Sequence, residues 1–261
     1  MVSHINYFEF LGKKSTDFGI AITKSNTYIS SERDVKFISV PSFNGDYFQD
    51  NQRRKNVTVK YTCAVIPIKD FNSREEQLSA ISTWLNSKID GYSKLYDSYN
   101  PEVYRQAVYH SKLEPEQSKA DVYKLNVSFT CKPFKYEIEG DTPLIYTNSE
   151  GLNITLTNNK ATDSYPMIAL TPTTLARGEM NFKLNGVNWY VQANDTVIFD
   201  SEQGKVYNDN TFFLYHNGNA DIFIPPTSMP ALFNGDNTIQ VDGPDISNIG
   251  KFTIIPRWCR I

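Results

Sequence analysis

The chain has 261 residues, 40% of them hydrophobic, and a formal net charge of −3 at pH 7. That apolar content excludes a disordered protein, and the slight acidity gives no general attraction to nucleic acid or to an anionic membrane. No uncharged apolar run approaches the roughly 18 residues of a transmembrane helix. The start, MVSHINYFEFLGKK, lacks the basic-then-apolar order of a signal peptide, so synthesis and assembly in a cytosol are expected. Cys63, Cys131 and Cys259 are odd in number and widely spaced, with no C-x-x-C pair, so neither a disulfide framework nor a zinc site is expected.

In chain order, residues 43–55 read as a long loop of mixed charge. Its QRRK run, residues 52–55, lies near Asp46 and Asp50, which suits a charged loop better than a phosphate-binding footprint. In 57–65, Val57, Val59, Tyr61, Cys63 and Val65 alternate with Thr58, Lys60, Thr62 and Ala64. In 123–131, Tyr123, Leu125, Val127, Phe129 and Cys131 alternate with polar residues in the same way. Period-two alternation means one buried and one wet face, as in an antiparallel sheet.

Between these strands, SREEQLSAISTWLNSKI predicts an α-helix over about 73–90. Ser73 and Glu76 have the spacing of a capping box, Leu78, Ile81, Leu85 and Ile89 form the apolar face, and Gly91 is the stop. Tyr92, Tyr96, Tyr99, Tyr104 and Tyr109 follow. They form either a partner-facing surface or a hairpin that covers the helix.

Composition changes near residue 132. The charge balance is +2 before it and −5 after, and 9 of the 13 glycines follow it. Asn and Gly supply tight corners, so the second half reads as many short strands. The expected domains are 1–135 and 136–261, with a break in strand pattern and an exposed linker within KPFKYEIEGDTP. MNFKLNGVNWYVQ predicts a hairpin turning at Asn185-Gly186. Further strands are expected near 197–199, 212–214, 222–224 and 238–241, and the tail KFTIIPRWCRI adds a last one. The expected fold is mostly β: a β-sandwich-like sheet domain with one helix, then a β-sandwich.

Nothing in the sequence names a reaction. His4, His110 and His216 are isolated, and no nucleophile, nucleotide or cofactor motif is present. Asp195, Asp200 and Glu202 match no calcium loop and read as a solvated turn. The N-x-S/T sequons at Asn56, Asn126, Asn153 and Asn194 read as chance matches. No catalytic residue, metal or cofactor is therefore expected. Val59, Tyr61, Leu85, Val127, Phe129, Trp189 and Trp258 are the expected core.

Several stretches together resemble the distal tail proteins of long, flexible-tailed bacteriophages. They are FEFLGKKSTDFGIAI, VPSFNGDYFQ, WLNSKIDGYSKLYDSYNPEVYRQAVY, DSEQGKVY, LFNGDNTIQV and the terminal IIPRWCRI, in order along nearly the whole chain. Cys259 stands where a larger residue is expected. The resemblance implies a non-enzymatic protein of the virion tail tip, assembled in the bacterial host cytoplasm. It implies a homo-hexameric ring joining the tail tube and tape-measure proteins to the baseplate or tail fibre. The first domain would make the ring, and the second would be galectin-like or like a carbohydrate-binding module. Phe43, Tyr47, Tyr92, Tyr96, Tyr99 and Tyr104 are the candidates for the ring interface. The alternative is a carbohydrate-binding β-sandwich used in host-surface adhesion, with Trp189, Tyr190 and Trp258 as sugar platforms. Glycan binding is possible on this reading but not expected.

Overall fold

The computed structural model describes residues 5–88, 90–117, 122–147, 152–173, 178–193, 195–208, 211–213, 229–241 and 249–261. The chain divides into two compact units, one up to Lys135 (with Ile261) and one spanning Tyr136–Arg260. The fold is mostly β, with two β-sandwich regions and one α-helix among the described residues.

The elements of the first unit are β1 (Phe8–Phe10), β2 (Lys13–Lys14), β3 (Ile20–Ser25), β4 (Arg33–Ser39), β5 (Asp46–Arg54), β6 (Val57–Val65), α1 (Arg74–Leu85), β7 (Ser93–Asp97), β8 (Val103–Tyr109), β9 (Glu116–Gln117) and β10 (Tyr123–Glu137). Its main sheet runs β2–β1–β7–β8–β10–β6–β3, with β9 added beside β10. The antiparallel register sets Val59 opposite Phe129 and Tyr61 opposite Val127, so the apolar sides of β6 and β10 coincide. All four are buried. Phe8 stacks on Tyr61 at 5.2 Å and on Trp84 at 5.7 Å, and Phe129 meets Phe8 edge-on at 5.5 Å.

Helix α1 lies on this core because Ile81, Trp84 and Leu85 share a face. The Ser73 hydroxyl accepts from Glu76 N at 3.1 Å, while the Glu76 carboxylate reaches back to Asn72 N. The capping exchange is thus one residue wider than the predicted box. The helix ends at Leu85, short of the expected 90. Asn86 Nδ2 donates to Ser82 O and Ser87 Oγ to Trp84 O, each at 2.8 Å, so side chains take the last carbonyls. Ile89 lies outside the described residues. Buried Gln77 pins the helix by donating to Phe18 O at 2.8 Å and Ile66 O at 2.9 Å. That close approach leaves no room for a side chain at Gly19, whose φ is +71°.

The second unit contains β11 (Leu144–Thr147), β12 (Leu152–Asn158), β13 (Met167–Pro172), β14 (Gly178–Leu184), β15 (Val187–Ala193), β16 (Val197–Asp200), β17 (Lys205–Asn208), β18 (Thr211–Phe213), β19 (Gly235–Val241), β20 (Ile249–Ile255) and β21 (Cys259–Arg260). One sheet runs β11–β20–β13–β16–β17–β18 and the other β12–β19–β14–β15. Phe199 and Phe252 from the first meet Phe182 and Trp189 from the second in one core. Asn185 and Gly186 turn the β14–β15 hairpin with φ of 51° and 81°, the twist that two-residue turns require. The strand expected at 222–224 lies outside the described residues.

Three expectations are corrected in this region. Residues 132–137 hold no break in the strand pattern, because β10 continues through Glu137. Asp200 is not on a solvated turn: it is buried and accepts both Arg257 guanidinium nitrogens, at 2.7 and 3.1 Å. Trp258 is partly buried, packed against the core and not enclosed in it, while Cys259 is the buried residue of that pair. The cause is Arg257, whose φ of 54° shifts the alternation carried by Phe252 and Ile254 along by one position. Cys259 fits because Asp163 O lies 3.4 Å from its sulfur, which leaves little room for a larger group.

Removing a fully buried aromatic costs about 3–5 kcal/mol. Phe129→Ala should therefore lose stability in that range by chemical denaturation, and Trp258→Ala measurably less, because its ring keeps solvent contact.

Candidate functional site

Strands β4 and β5 form a separate two-stranded ribbon that pairs with no other strand among the described residues. Residues 43–55, expected as a loop, are thus mostly strand, and Gln52, Arg53 and Arg54 close β5. Phe37 pairs with Phe48 and Ile38 with Tyr47, so successive pairs present apolar groups to opposite faces. All four are exposed, Phe37 at 66% and Tyr47 at 63%. Val40 and Phe43 extend the patch to the tip, where Phe43 is 73% exposed.

Charges hold the ribbon's root. Arg53 Nε donates to Asp34 at 2.6 Å, and Arg33 pairs with Asp50. The Arg53 hydrogen bond holds the Asp34 carboxyl below its ordinary value. For Asp50 the backbone N–H of Gln52 is the main cause of the same lowering, with Arg33 second. Arg54 Nη1 donates to Ser31 O at 3.0 Å and Lys55 N to Glu32 O at 2.9 Å, which ties the two legs together.

Of the predicted interface residues, Phe43 and Tyr47 lie on the ribbon and the tyrosines on the β7–β8 hairpin. Tyr92, Tyr96 and Tyr99 are half-buried. Tyr104 is withdrawn from the list: it is 3% exposed, its ring tilted against that of Tyr96 at 5.5 Å and covered by the Lys94 ammonium at 4.6 Å. Tyr109 is likewise a core residue, edge-on to Phe129. Sequence reading missed Phe37, Ile38 and Phe48, because DVKFISV places apolar residues at both parities and shows no alternation. It also missed Tyr28, which is 69% exposed and whose hydroxyl donates to Tyr99 O. That bond brings the foot of the ribbon to the tyrosine hairpin.

Among the described residues, neither a metal-binding cluster nor an activated thiol is present. No group of three or more His, Cys, Asp or Glu among them could hold a metal ion. Burial pushes the thiols of Cys63 and Cys131 up to about 12 and that of Cys259 up to about 11, so none is a ready nucleophile.

The architecture is that of a two-part β-sandwich protein whose distinctive surface is an exposed ribbon. The same fold, over 96% of this chain and 98% of the other, occurs in the crystal structure of the SPP1 Dit (gp 19.1) protein. That structure is described as a paradigm of the hub adsorption apparatus in phages infecting Gram-positive hosts, and the TM-score is 0.62 at 11% identity. No family model matches the chain, and no curated protein matches its sequence. The likeness read from the sequence is thus borne out as a shared distal-tail-protein fold.

The ribbon's ion pairs give a pH dependence of definite sign. Asp34 and Asp50 have depressed values in the folded chain, so their contribution is present above the ordinary 3.8 and lost as pH falls through the depressed values. Hydrogen exchange on acidification should show amides of β4 and β5 losing protection before those of β6 and β10.

Proposed function

We propose that the chain is a structural distal tail protein of a long-tailed phage. In this reading it forms a hexameric hub ring at the tail tip that joins the tail tube to the baseplate or tail fibre. The domains are 1–135, which builds the ring, and 136–261, which does not. The observation that carries the reading is the ribbon: large apolar groups exposed on both faces of a two-stranded element, on a fold shared with a phage hub protein. Exposed apolar patches of this kind mark protein–protein contacts. A ring needs two different patches of one chain to meet. The ribbon, with Phe43 and Tyr47, supplies one, and the hairpin carrying Tyr92, Tyr96 and Tyr99 is the proposed other. The function is non-enzymatic, with the tube, tape-measure, fibre and other baseplate proteins as partners.

The sugar-binding alternative loses one of its platforms. Trp189 is 2% exposed and stacked on Phe182 in the core, where it cannot meet a sugar ring.

Native mass spectrometry and light scattering of the full chain test the proposal, alone and with the tail-tube protein. A closed hexamer is expected under at least one of these conditions. The double variant Phe37→Ser/Tyr47→Glu should weaken association at least tenfold while its thermal unfolding stays that of the parent. A chain that is still monomeric at high concentration with its tube partner present overturns the ring.

A further inference from the structure

The ribbon is joined to the first unit by two legs. The first, residues 26–32, is in no strand, yet Thr27 and Ser31 within it are buried. Its hydrogen bonds converge on the backbone of β6 and on two side chains of β7 and β8, Asp97 and Arg105. Asn26 Nδ2 donates to Thr58 O at 3.1 Å, and its Oδ1 accepts from Lys60 N at 2.6 Å. Next along the leg, the Thr27 hydroxyl donates to Asp97 Oδ2, which also accepts from Tyr61 Oη at 2.9 Å. The other oxygen of Asp97 accepts from Tyr99 N at 3.0 Å and Asn100 N at 3.2 Å, so the carboxylate is fixed by the turn that follows β7. From the next strand, Arg105 Nη2 donates to Ile29 O at 2.7 Å and, more loosely, to Thr27 O at 3.4 Å.

Arg105 is an expensive way to fill this place. It is 5% exposed, and its Nη1 has no hydrogen-bond partner. Burying a guanidinium carries a desolvation cost that an apolar side chain of the same length does not. Burial accordingly pushes its pKa down, against the opposing pull of Cys131, Tyr61 and Asp97. What the charge provides, and an apolar group cannot, is a donor for leg carbonyls that no strand pairing satisfies.

We propose that Thr27, gripped between Asp97 and Arg105, is the positioning residue that fixes the direction in which the ribbon leaves the first unit. Arg105 and Asp97 act through it and touch no partner themselves. A two-stranded element pinned at its root presents its faces in one orientation, so a neighbouring chain does not meet the entropic cost of ordering it. This consequence for assembly rests on the ring reading, but the latch itself does not.

The test is the distance distribution between spin labels at the ribbon tip (Asn44→Cys) and on α1 (Ser79→Cys). It is measured in the full chain diluted with unlabelled protein, so that only distances within one chain are read. The native cysteines are buried with thiols up to about 11–12, so labelling falls on the introduced positions. The parent should give one narrow distribution. Thr27→Val, which removes the hydroxyl at nearly constant volume, and Arg105→Met should each broaden it about twofold, and Thr27→Ser should restore it. Thermal unfolding of Arg105→Met should be unchanged or raised, which separates a positioning role from a merely stabilising one. A parent distribution already as broad as the variants', or folded variants as narrow as the parent, overturns the latch. If Arg105→Met does not fold, Thr27→Val and Thr27→Ser decide alone. Native mass spectrometry of the same samples keeps the two ideas apart. Monomers throughout with the distance contrast intact would remove the ring and leave the latch. Rings formed equally by all variants with unchanged distances would do the reverse.

Discussion

A two-stranded ribbon has too few neighbours to bury its own side chains, and isolated hairpins are at best marginally stable in water. Here the ribbon of residues 33–54 carries Phe37 with Phe48 on one face and Ile38 with Tyr47 on the other. Covering one face would leave the other wet, so the proposed ring, which would enclose the ribbon, meets a need that the first unit alone leaves open. Much of the first unit bears on that constraint. The ion pairs Arg33–Asp50 and Arg53–Asp34 hold the root without apolar burial. The same charges blunt the open edges, which would otherwise invite indiscriminate strand pairing.

The second unit meets a different demand, which is to close a sandwich whose last strand ends near Pro256. After that residue, Arg257 takes a left-handed conformation and its guanidinium holds buried Asp200. Glu137 N donates to Trp258 O at 2.8 Å, and the Thr162 hydroxyl donates to Cys259 O. The tail KFTIIPRWCRI is therefore a structural strand followed by a polar clasp, and its two arginines serve internal carboxylates. Breaking Arg257–Asp200 by removing one partner would leave a buried charge unpaired, which costs far more than the intact pair is worth.

Elements governed by local rules were legible in the sequence. Strand β6, the first part of β10, the start of α1 and the Asn185-Gly186 hairpin follow from alternation, capping and turn chemistry. The misreadings share a cause, which is that burial was set by something other than one strand's own period. Val103, Tyr104 and Arg105 are all buried because both faces of β8 are covered there, Tyr104 by Tyr96 and Lys94 and Arg105 by the 26–32 leg, so its alternation does not report which face is wet. Trp258 and Cys259 exchanged places because a single positive φ reset the parity. The ribbon was unreadable because an element with apolar groups on both faces has no polar face to mark its period. The exposed patch was half visible: Phe43 and Tyr47 stood out as aromatics, but their neighbours on β4 did not.

The low identity to the SPP1 protein has a physical reading in the same terms. Cores accept many apolar sets of similar volume, so identity at buried positions decays quickly while a fold persists. Chain reversals that need positive φ accept few residue types and keep their local signature longer. Each of the six stretches that carried the sequence resemblance contains such a residue: Gly19, Ser42, Gly91, Gly204, Gly235 and Arg257 all have φ above 50°. Four of the six are glycine, the residue that such corners favour. At Gly19 the constraint is twofold, since the Ile66 carbonyl and the Gln77 amide also occupy the space a side chain would need. That corner seats α1 on the sheet, and it is a place where the fold leaves the sequence almost no choice.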